Sequence, residues 1–513
     1  MFDNRSIALI QQEGTVYPSV PPFHPSEAFP ELPLSSNITR DHNGVYAAVR
    51  EAFHRLNLDI AQFGTSGWNP LGGIIKPGDR VAVKPNFVLH FNSSGGDITP
   101  VVTHGSVLRA VLDYVVIALK GSGSITVGDA PHGNADFDRI VDVNGAREVV
   151  EYFREKGIVI ELVDFRKYRY GYGEEGFLKE TKTPLPGDPR GYSVVDLGKE
   201  SELENLPFLE RLYGADYDRS IIREHHRPGR HEYLIANSIL RANVVVSVPK
   251  LKVHSKAGVT INLKNLVGIN GDKNWLPHYR IGYPENGGDE FPRSSMWFEN
   301  FLRRTDRWLV DILLSRDTVF RKLLYRVFLK VYYPAIGLIT RATGNSIHRG
   351  NWNGNDTVWR MVLDLNKILL YAAENGRLNS SRQRKFLSVV DGIIAGEGNG
   401  PLGPSAKNSG VIIAGFSPLL VDLIGARLMG FSLERIPLFW KAFRDAIHPL
   451  APCNVDGAEV YTNVPALKNI SRQSGSYLNF SVPYGWREDR SLSATPSNNQ
   501  VDETTIPEKF PEQ

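Results

Sequence analysis

Apolar residues along this chain fall into short unbroken runs that alternate with stretches of helical period, the pattern of strands joined by crossover helices. Asp41 to Leu58 sets Val45, Val49, Phe53 and Leu56 on one side of a helix. Lys76 to Asp79 is a turn, and Arg80 to Val83 is a strand ending in Lys84-Pro85-Asn86. Thr103 can cap a helix that runs to about Leu119, with Val107, Val111, Tyr114 and Val115 inward. Gly121 to Gly123 breaks it, and Ile125 to Val127 is a strand ending in Gly128-Asp129. Strand, helix, strand at this spacing is a parallel crossover unit. The pattern returns later: Leu387 to Val390 is a strand ending at Asp391, Val411 to Ala414 is another, and Pro418 to Met429 is a helix stopped by Gly430. The expected fold is α/β, a mostly parallel sheet flanked by helices and interrupted by long insertions.

Between these blocks, Val244 to Val248 is fully apolar and reads as a strand buried on both faces. Lys250, Lys252, His254 and Lys256 then alternate with Leu251, Val253 and Ser255, so an extended backbone projects all four basic groups from one face. After Gly258, the apolar residues at 259, 263, 266 and 267 fit one side of a short helix ended by Gly268. A buried strand that delivers cations to a helix start is suited to holding an anion. Asn262, Lys264, Asn265, Asn270, Asp272, Lys273, Asn274 and His278 follow, and Asp272 is the one acid between Lys250 and His278. These lysines therefore lack local partners. Four strands end near Lys84, Asp129, Lys250 and Asp391, and ligands of open α/β sheets sit beyond the carboxyl ends of the strands, so the four are expected at one crevice.

The domain layout follows from the interruptions. Residues 1–42, rich in proline, read as an irregular arm. Residues 43–298 and 345–460 form the α/β core, with a polar insertion at about 164–235. Residues 299–344 form a basic amphipathic helical insertion, and 461–513 a polar tail. From Thr318 to Arg341 there are five basic residues and no acid. Charges interrupt this segment too often for a membrane span. It suits either an anionic membrane surface or packing against protein.

Composition narrows the chemistry. A net charge of +3 over 513 residues does not argue for nucleic acid, and no stripe of basic and aromatic residues does so either. Cys453 is the single cysteine, so an internal disulfide and an iron–sulfur cluster ligated by this chain are both excluded. The first residues lack the basic region and long apolar core of a signal peptide, and a cytoplasmic protein, membrane-peripheral if 318–341 docks, is expected. No phosphate-binding P-loop, H-E-x-x-H or G-x-S-x-G motif occurs. Gly398, Gly400 and Gly403 match a dinucleotide fingerprint only formally, because Pro401 and Pro404 sit where its helix should start; they read as a close-approach turn carrying Glu397 and Asn399. The candidate anion ligands are Lys84, Asn86, Lys250, Lys252, Lys256, Asn262, Lys264, Asn265, Asp272, Lys273 and Asn399. Asp129, Asp391 and Glu397 suit a hard cation such as Mg²⁺. Asp129 and Asp391, with His254 and His278, are the candidates for proton transfer. Asp422, flanked by apolar residues, pairs either with a lysine of the site or with Arg427.

VAVKPNFV (81–88), VGDAP (127–131), the run from Val244 to His278, DGIIAGEGNGPLG (391–403) and SPLLVDLIGARLMG (417–430) resemble the family called domain of unknown function 362. The resemblance spans roughly residues 78–435. It implies a cytoplasmic prokaryotic protein whose lysine-rich segment is functional, and it supplies no reaction. Some members carry an appended ferredoxin-like cysteine cluster, from which this chain departs. The resulting expectation is an enzyme acting on an anionic small molecule, phosphorylated or carboxylated, with a divalent metal as companion. The alternatives are a non-catalytic ligand-binding or membrane-surface scaffold, and an accessory redox protein that uses a partner's cofactor.

Overall fold

The computed structural model describes residues 4–32, 38–172, 179–214, 219–293, 349–473, 475 and 477–487, with isolated positions between 301 and 347. Most of the 299–344 insertion, and the tail from 488 onward, lie outside the described residues.

The first half of the chain runs β1 (Ser6–Gln11), α1 (Gly44–Arg55), β2 (Arg80–Pro85), α2 (Gly105–Leu119), β3 (Ser124–Asp129), α3 (Phe137–Val143), α4 (Ala146–Glu155) and β4 (Ile160–Asp164). The 164–235 insertion contributes a hairpin of β5 (Tyr168–Tyr172) and β6 (Lys179–Pro184), then β7 (Tyr192–Asp196) and the short β8 (Leu212–Tyr213). It continues with β9 (His226–Arg227) and β10 (Arg230–Ala236), which join β7 in a three-stranded sheet. Next come β11 (Val244–Val248), β12 (Lys250–His254), β13 (Gly258–Thr260) and β14 (Tyr279–Arg280), the last paired with β8. The second half supplies helix Val358–Tyr371, β15 (Lys385–Asn399), β16 (Gly403–Gly415), helix Pro418–Met429 and β17 (Glu459–Thr462).

The main sheet has the order β17-β1-β16-β15-β11-β2-β3-β4. From β15 to β4 every neighbouring pair is parallel. Alternation along each strand feeds two cores: Val81 and Val83 pack with α1, α2 and α4 on one face, while Ala82 packs with helices Val358–Tyr371 and Pro418–Met429 on the other. The all-valine and serine run of β11 is buried at every position because it lies in the middle of this two-sided sheet.

Several elements differ from the pattern-based expectation. The supposed arm contains β1, whose Ile7, Ala8, Leu9 and Ile10 are all buried between β16 and β17. The proline-rich stretch that follows had concealed an apolar run just long enough for a two-sided strand. β15 runs eight residues past Asp391, through a register shift at Gly392–Ile394, with Ile393 and Ala395 still buried in the two cores. Residues 259–267 are not one helix: β13 folds back on β12, and only Asn262–Asn265 is α-helical before a 3-10 turn over Leu266–Ile269. His104, not Thr103, caps α2, because the Thr103 hydroxyl donates to the Val248 carbonyl at 2.7 Å. The tail begins inside β17 and includes the buried Trp486. Among the described residues no helix is long and apolar enough to cross a membrane.

Candidate functional site

β15, β11, β2 and β3 are consecutive parallel neighbours, so their ends bring Lys84, Asp129, Lys250 and Asp391 to one edge of the sheet. They form two separate ion pairs. Lys84 lies 2.8 Å from Asp129 with both side chains buried. Its ammonium also donates to the Pro85 carbonyl at 2.6 Å and to Asn265 Oδ1 at 3.0 Å. Asp129 Oδ2 accepts the Phe87 N–H at 2.6 Å. Gly268 presses directly on this pair, and a methyl group there would fall on the Asp129 carboxylate and the Lys84 ammonium. Burial pulls the Lys84 ammonium below the usual lysine range, against the opposing pull of Asp129.

The second pair sits apart from the first. Lys250 is 2.9 Å from Asp391, and Tyr17 bridges them, donating to Asp391 at 2.5 Å and accepting from Lys250 at 2.6 Å. Asp391 also accepts the His104 N–H at 2.9 Å. Lys250 and Asp391 are thus covered by the N-terminal segment, and neither borders the cleft described next.

That cleft has a volume of about 680 Å³ and opens over the Lys84–Asp129 pair. Lys252 and His254 reach it from β12, Lys256 from the turn that follows, and Thr260 from β13. Lys264, Lys273 and His278 border it from the next segment, and Asn86, Asn265 and Asn399 also line it. The β12 face therefore does carry its basic groups to one place, with Lys250 diverted into the Asp391 pair. Burial pulls all four cleft lysines down. Lys252 falls well below its ordinary value, with Lys250 and Lys264 adding repulsion. Lys256 falls to about 7 and is pushed further by Arg349. Lys273 falls to about 7 and Lys264 to about 8, each repelled by Lys84.

The two histidines of the cleft are held in opposite tautomers. His254 Nδ1 accepts the N–H groups of Lys256 at 3.0 Å and Ala257 at 3.2 Å, so its proton sits on Nε2. His278 Nδ1 is 2.8 Å from the Leu276 carbonyl, which can only accept, so that proton sits on Nδ1 and Nε2 is bare. Both rings stay neutral: burial, then Lys264, lowers His278 to about 3 and His254 far below its ordinary value. Thr260 Oγ1 and Asn86 Oδ1, both buried, have no hydrogen-bond partner among the described residues.

Other expected residues serve elsewhere. Asp422 Oδ1 accepts the Asn262 N–H at 2.8 Å and Oδ2 the Leu263 N–H at 2.9 Å, so this aspartate caps the one-turn helix and pairs with neither a lysine nor Arg427. The N–H groups at this helix start are therefore occupied by Asp422 and are not free for an anion, contrary to the expectation. Asn262 additionally accepts from Ser388 at 2.8 Å. Asp272 caps the turn Lys273–Trp275 by accepting the Asn274 N–H at 3.0 Å. Glu397 holds Lys407 at 3.1 Å and the Ser481 N–H at 2.9 Å. Asp129, Asp391 and Glu397 thus each hold a lysine and lie in different places, and no group of three or more His, Cys, Asp or Glu side chains placed for a metal occurs among the described residues.

Sequence reasoning missed the far wall. Arg349, Tyr484, Gly485 and Arg487 border the cleft, and Trp486 anchors that wall by donating to the Ser255 carbonyl at 2.8 Å. Buried Trp486 in an otherwise polar tail was the available signal. The Gly398–Gly403 turn borders the cleft as a β15–β16 hairpin, where Gly400 lies against the Val253 carbonyl with no room for a side chain.

Fold and site together define an α/β protein with a cationic cleft at the carboxyl edge of a parallel sheet. The chain belongs to the family described as Domain of unknown function (DUF362), which matches residues 81–186 and 192–427. Comparison with curated proteins gave no significant match.

Proposed function

We propose that the cleft binds an anionic small molecule, phosphorylated or carboxylated, and that the protein is an enzyme acting on it. One observation carries this reading: Lys252, Lys256, Lys264, Lys273, Arg349 and Arg487 surround one cleft, and Asp129, already neutralised by Lys84, is the single acid on its described lining. The four lysines are buried with no carboxylate in direct ion-pair contact, and holding them charged is costly unless an anion joins them. The volume suits a small metabolite, and Val88, Val267, Leu402 and Tyr484 offer apolar surface for its body. The lysines would stabilise negative charge as it develops, and the bare Nε2 of His278 would take a proton. Mg²⁺ belongs to this proposal as a companion of the ligand's phosphates, since the three expected carboxylates hold lysines.

The test is a thermal-shift screen against phosphorylated metabolites, nucleotides, nucleotide sugars and carboxylates, with and without Mg²⁺. A ligand at 100 times its dissociation constant stabilises the native state by about 2.7 kcal/mol. A hit lost in Lys256→Ala and Lys273→Ala supports the reading, and a blank across every class removes it.

A second reading, docking on an anionic membrane surface through 318–341, draws support from the exposed Phe320, Leu323, Leu324 and Val327, whose spacing places them on one helical face. Sedimentation with phosphatidylserine vesicles, abolished by neutralising Arg321, Lys322, Arg326 and Lys330, would support it; no sedimentation would end it.

A further inference from the structure

The lysines of the centre are not equivalent. Lys84 and Lys250 are locked in ion pairs. The Lys252 ammonium donates to the Val101 carbonyl at 2.5 Å, that of Lys256 to the Arg349 carbonyl, and that of Lys273 to the Val267 carbonyl at 3.2 Å. Lys264 alone among them has neither a hydrogen-bond acceptor nor an ion-paired carboxylate among the described residues, and it lines the cleft.

Its backbone, by contrast, is clamped on both sides. Asp422 holds the N–H groups of Asn262 and Leu263, and the Asn265 side chain donates through Nδ2 to the Lys84 carbonyl at 3.0 Å and to the Ser247 hydroxyl at 3.2 Å. A rigid base therefore presents a long side chain with an unengaged nitrogen. Lys264 is also the charge that, after burial, lowers both His254 and His278 most, and all three line the same cleft.

We infer that Lys264 is a nucleophile that forms an imine with the carbonyl group of an anionic aldehyde or ketone, an oxo acid or a phosphorylated carbonyl compound. This inference rests on the anion-binding reading and names the substrate class within it. A lysine desolvated beside another cation is the arrangement that exposes a free amine at neutral pH. Lys264 meets both conditions, with burial and Lys84 bringing it to about 8. The Nζ lone pair adds to the carbonyl carbon to give a carbinolamine. Both amine hydrogens then leave with the carbonyl oxygen as water while the carbon–nitrogen double bond forms, so no oxidant or reductant is needed. His278, with its bare Nε2, relays one of those protons. Lys252, Lys256 and Lys273 hold the anionic end.

The test is reductive trapping. The protein is incubated with pyridoxal 5′-phosphate or with glyoxylate, reduced with cyanoborohydride, digested and mapped by mass spectrometry, with inorganic pyrophosphate as competitor. The expected result is a single adduct on Lys264, suppressed by pyrophosphate and lost in Lys264→Gln. Lys264→Arg keeps the charge without the nucleophile and serves if the glutamine variant does not fold. Modification spread over many lysines, or undiminished in both variants, overturns the inference. An adduct confined to Lys264 that pyrophosphate does not suppress upholds the nucleophile and overturns the anion site. Pyrophosphate binding with no adduct does the reverse.

Discussion

The Lys84–Asp129 pair offers the sharpest quantitative test of how the site is held. Asp129→Asn keeps an acceptor for the Phe87 N–H but strands a buried ammonium, and Lys84→Met strands a carboxylate whose side chain is 4% exposed. Removing one partner of a buried pair costs about 3–5 kcal/mol, because the remaining charge can be neither solvated nor matched. That is a large part of the roughly 5–15 kcal/mol that separates a folded domain from its unfolded chain. The double variant Lys84→Met/Asp129→Asn removes both charges and leaves Asn265 able to refill the hydrogen bonds, so it should cost much less than the sum of the two single changes. Urea unfolding followed by tryptophan fluorescence gives the three values. Costs that add to within about 0.5 kcal/mol would show that the two groups are not coupled, and the reasoning would fail.

Gly268→Ala should act on the same pair from outside: the added methyl must displace Asp129 or Lys84, an overpacking cost of about 1–3 kcal/mol, read as a lower urea midpoint. An unchanged midpoint would mean the close approach is soft. Trp486→Ala removes a buried ring and its bond to Ser255, with an expected loss of about 3–5 kcal/mol and weaker pyrophosphate binding as the far wall lifts. Calorimetry that finds binding unchanged would detach that wall from the site. The lysines also set a pH dependence. Lys256 and Lys273 near 7 and Lys264 near 8 lie below the unfolded value of 10.5, so between about pH 7 and 10.5 the unfolded chain holds more protons and their contribution to stability rises with pH. A bound polyanion reverses those depressions, so binding of pyrophosphate at pH 8 should take up protons. Titration calorimetry in two buffers of different ionisation enthalpy reads this directly, and identical enthalpies would contradict it.

Strands β2, β3, β11 and β15 were legible because each carries an uninterrupted apolar run followed by a polar residue, and a two-sided sheet demands that pattern; their order in the sheet was not, because pairing is set between segments far apart in the chain. Helix Pro418–Met429 was legible to the residue, since a proline start and glycine stop have direct backbone causes. The hairpin at β12 and β13 was not. Val259, Leu263 and Leu266 fit a helical face, and only the pairing of Lys252 with Thr260 across the turn shows why the segment folds back. Asp422 was misassigned for a related reason: a carboxylate that satisfies backbone N–H groups leaves no partner residue to find in the sequence. The cleft lysines were found by their lack of nearby acids in the sequence, whereas their depressed protonation comes first from burial, which the sequence does not show. Arg349, Tyr484 and Arg487 carry no local signal, because their place depends on where distant segments return.

That return has a consequence for how the protein comes into being. The cleft draws on Asn86 near one end of the chain and on Arg487 near the other, and its far wall is pinned by Trp486 against the turn after β12. During synthesis the cationic floor is therefore made more than two hundred residues before the wall that closes over it. A chain that has been made past β15 but not as far as Trp486 would leave this lysine face open, and the enclosed cleft belongs to the finished molecule, after the last wall has been delivered.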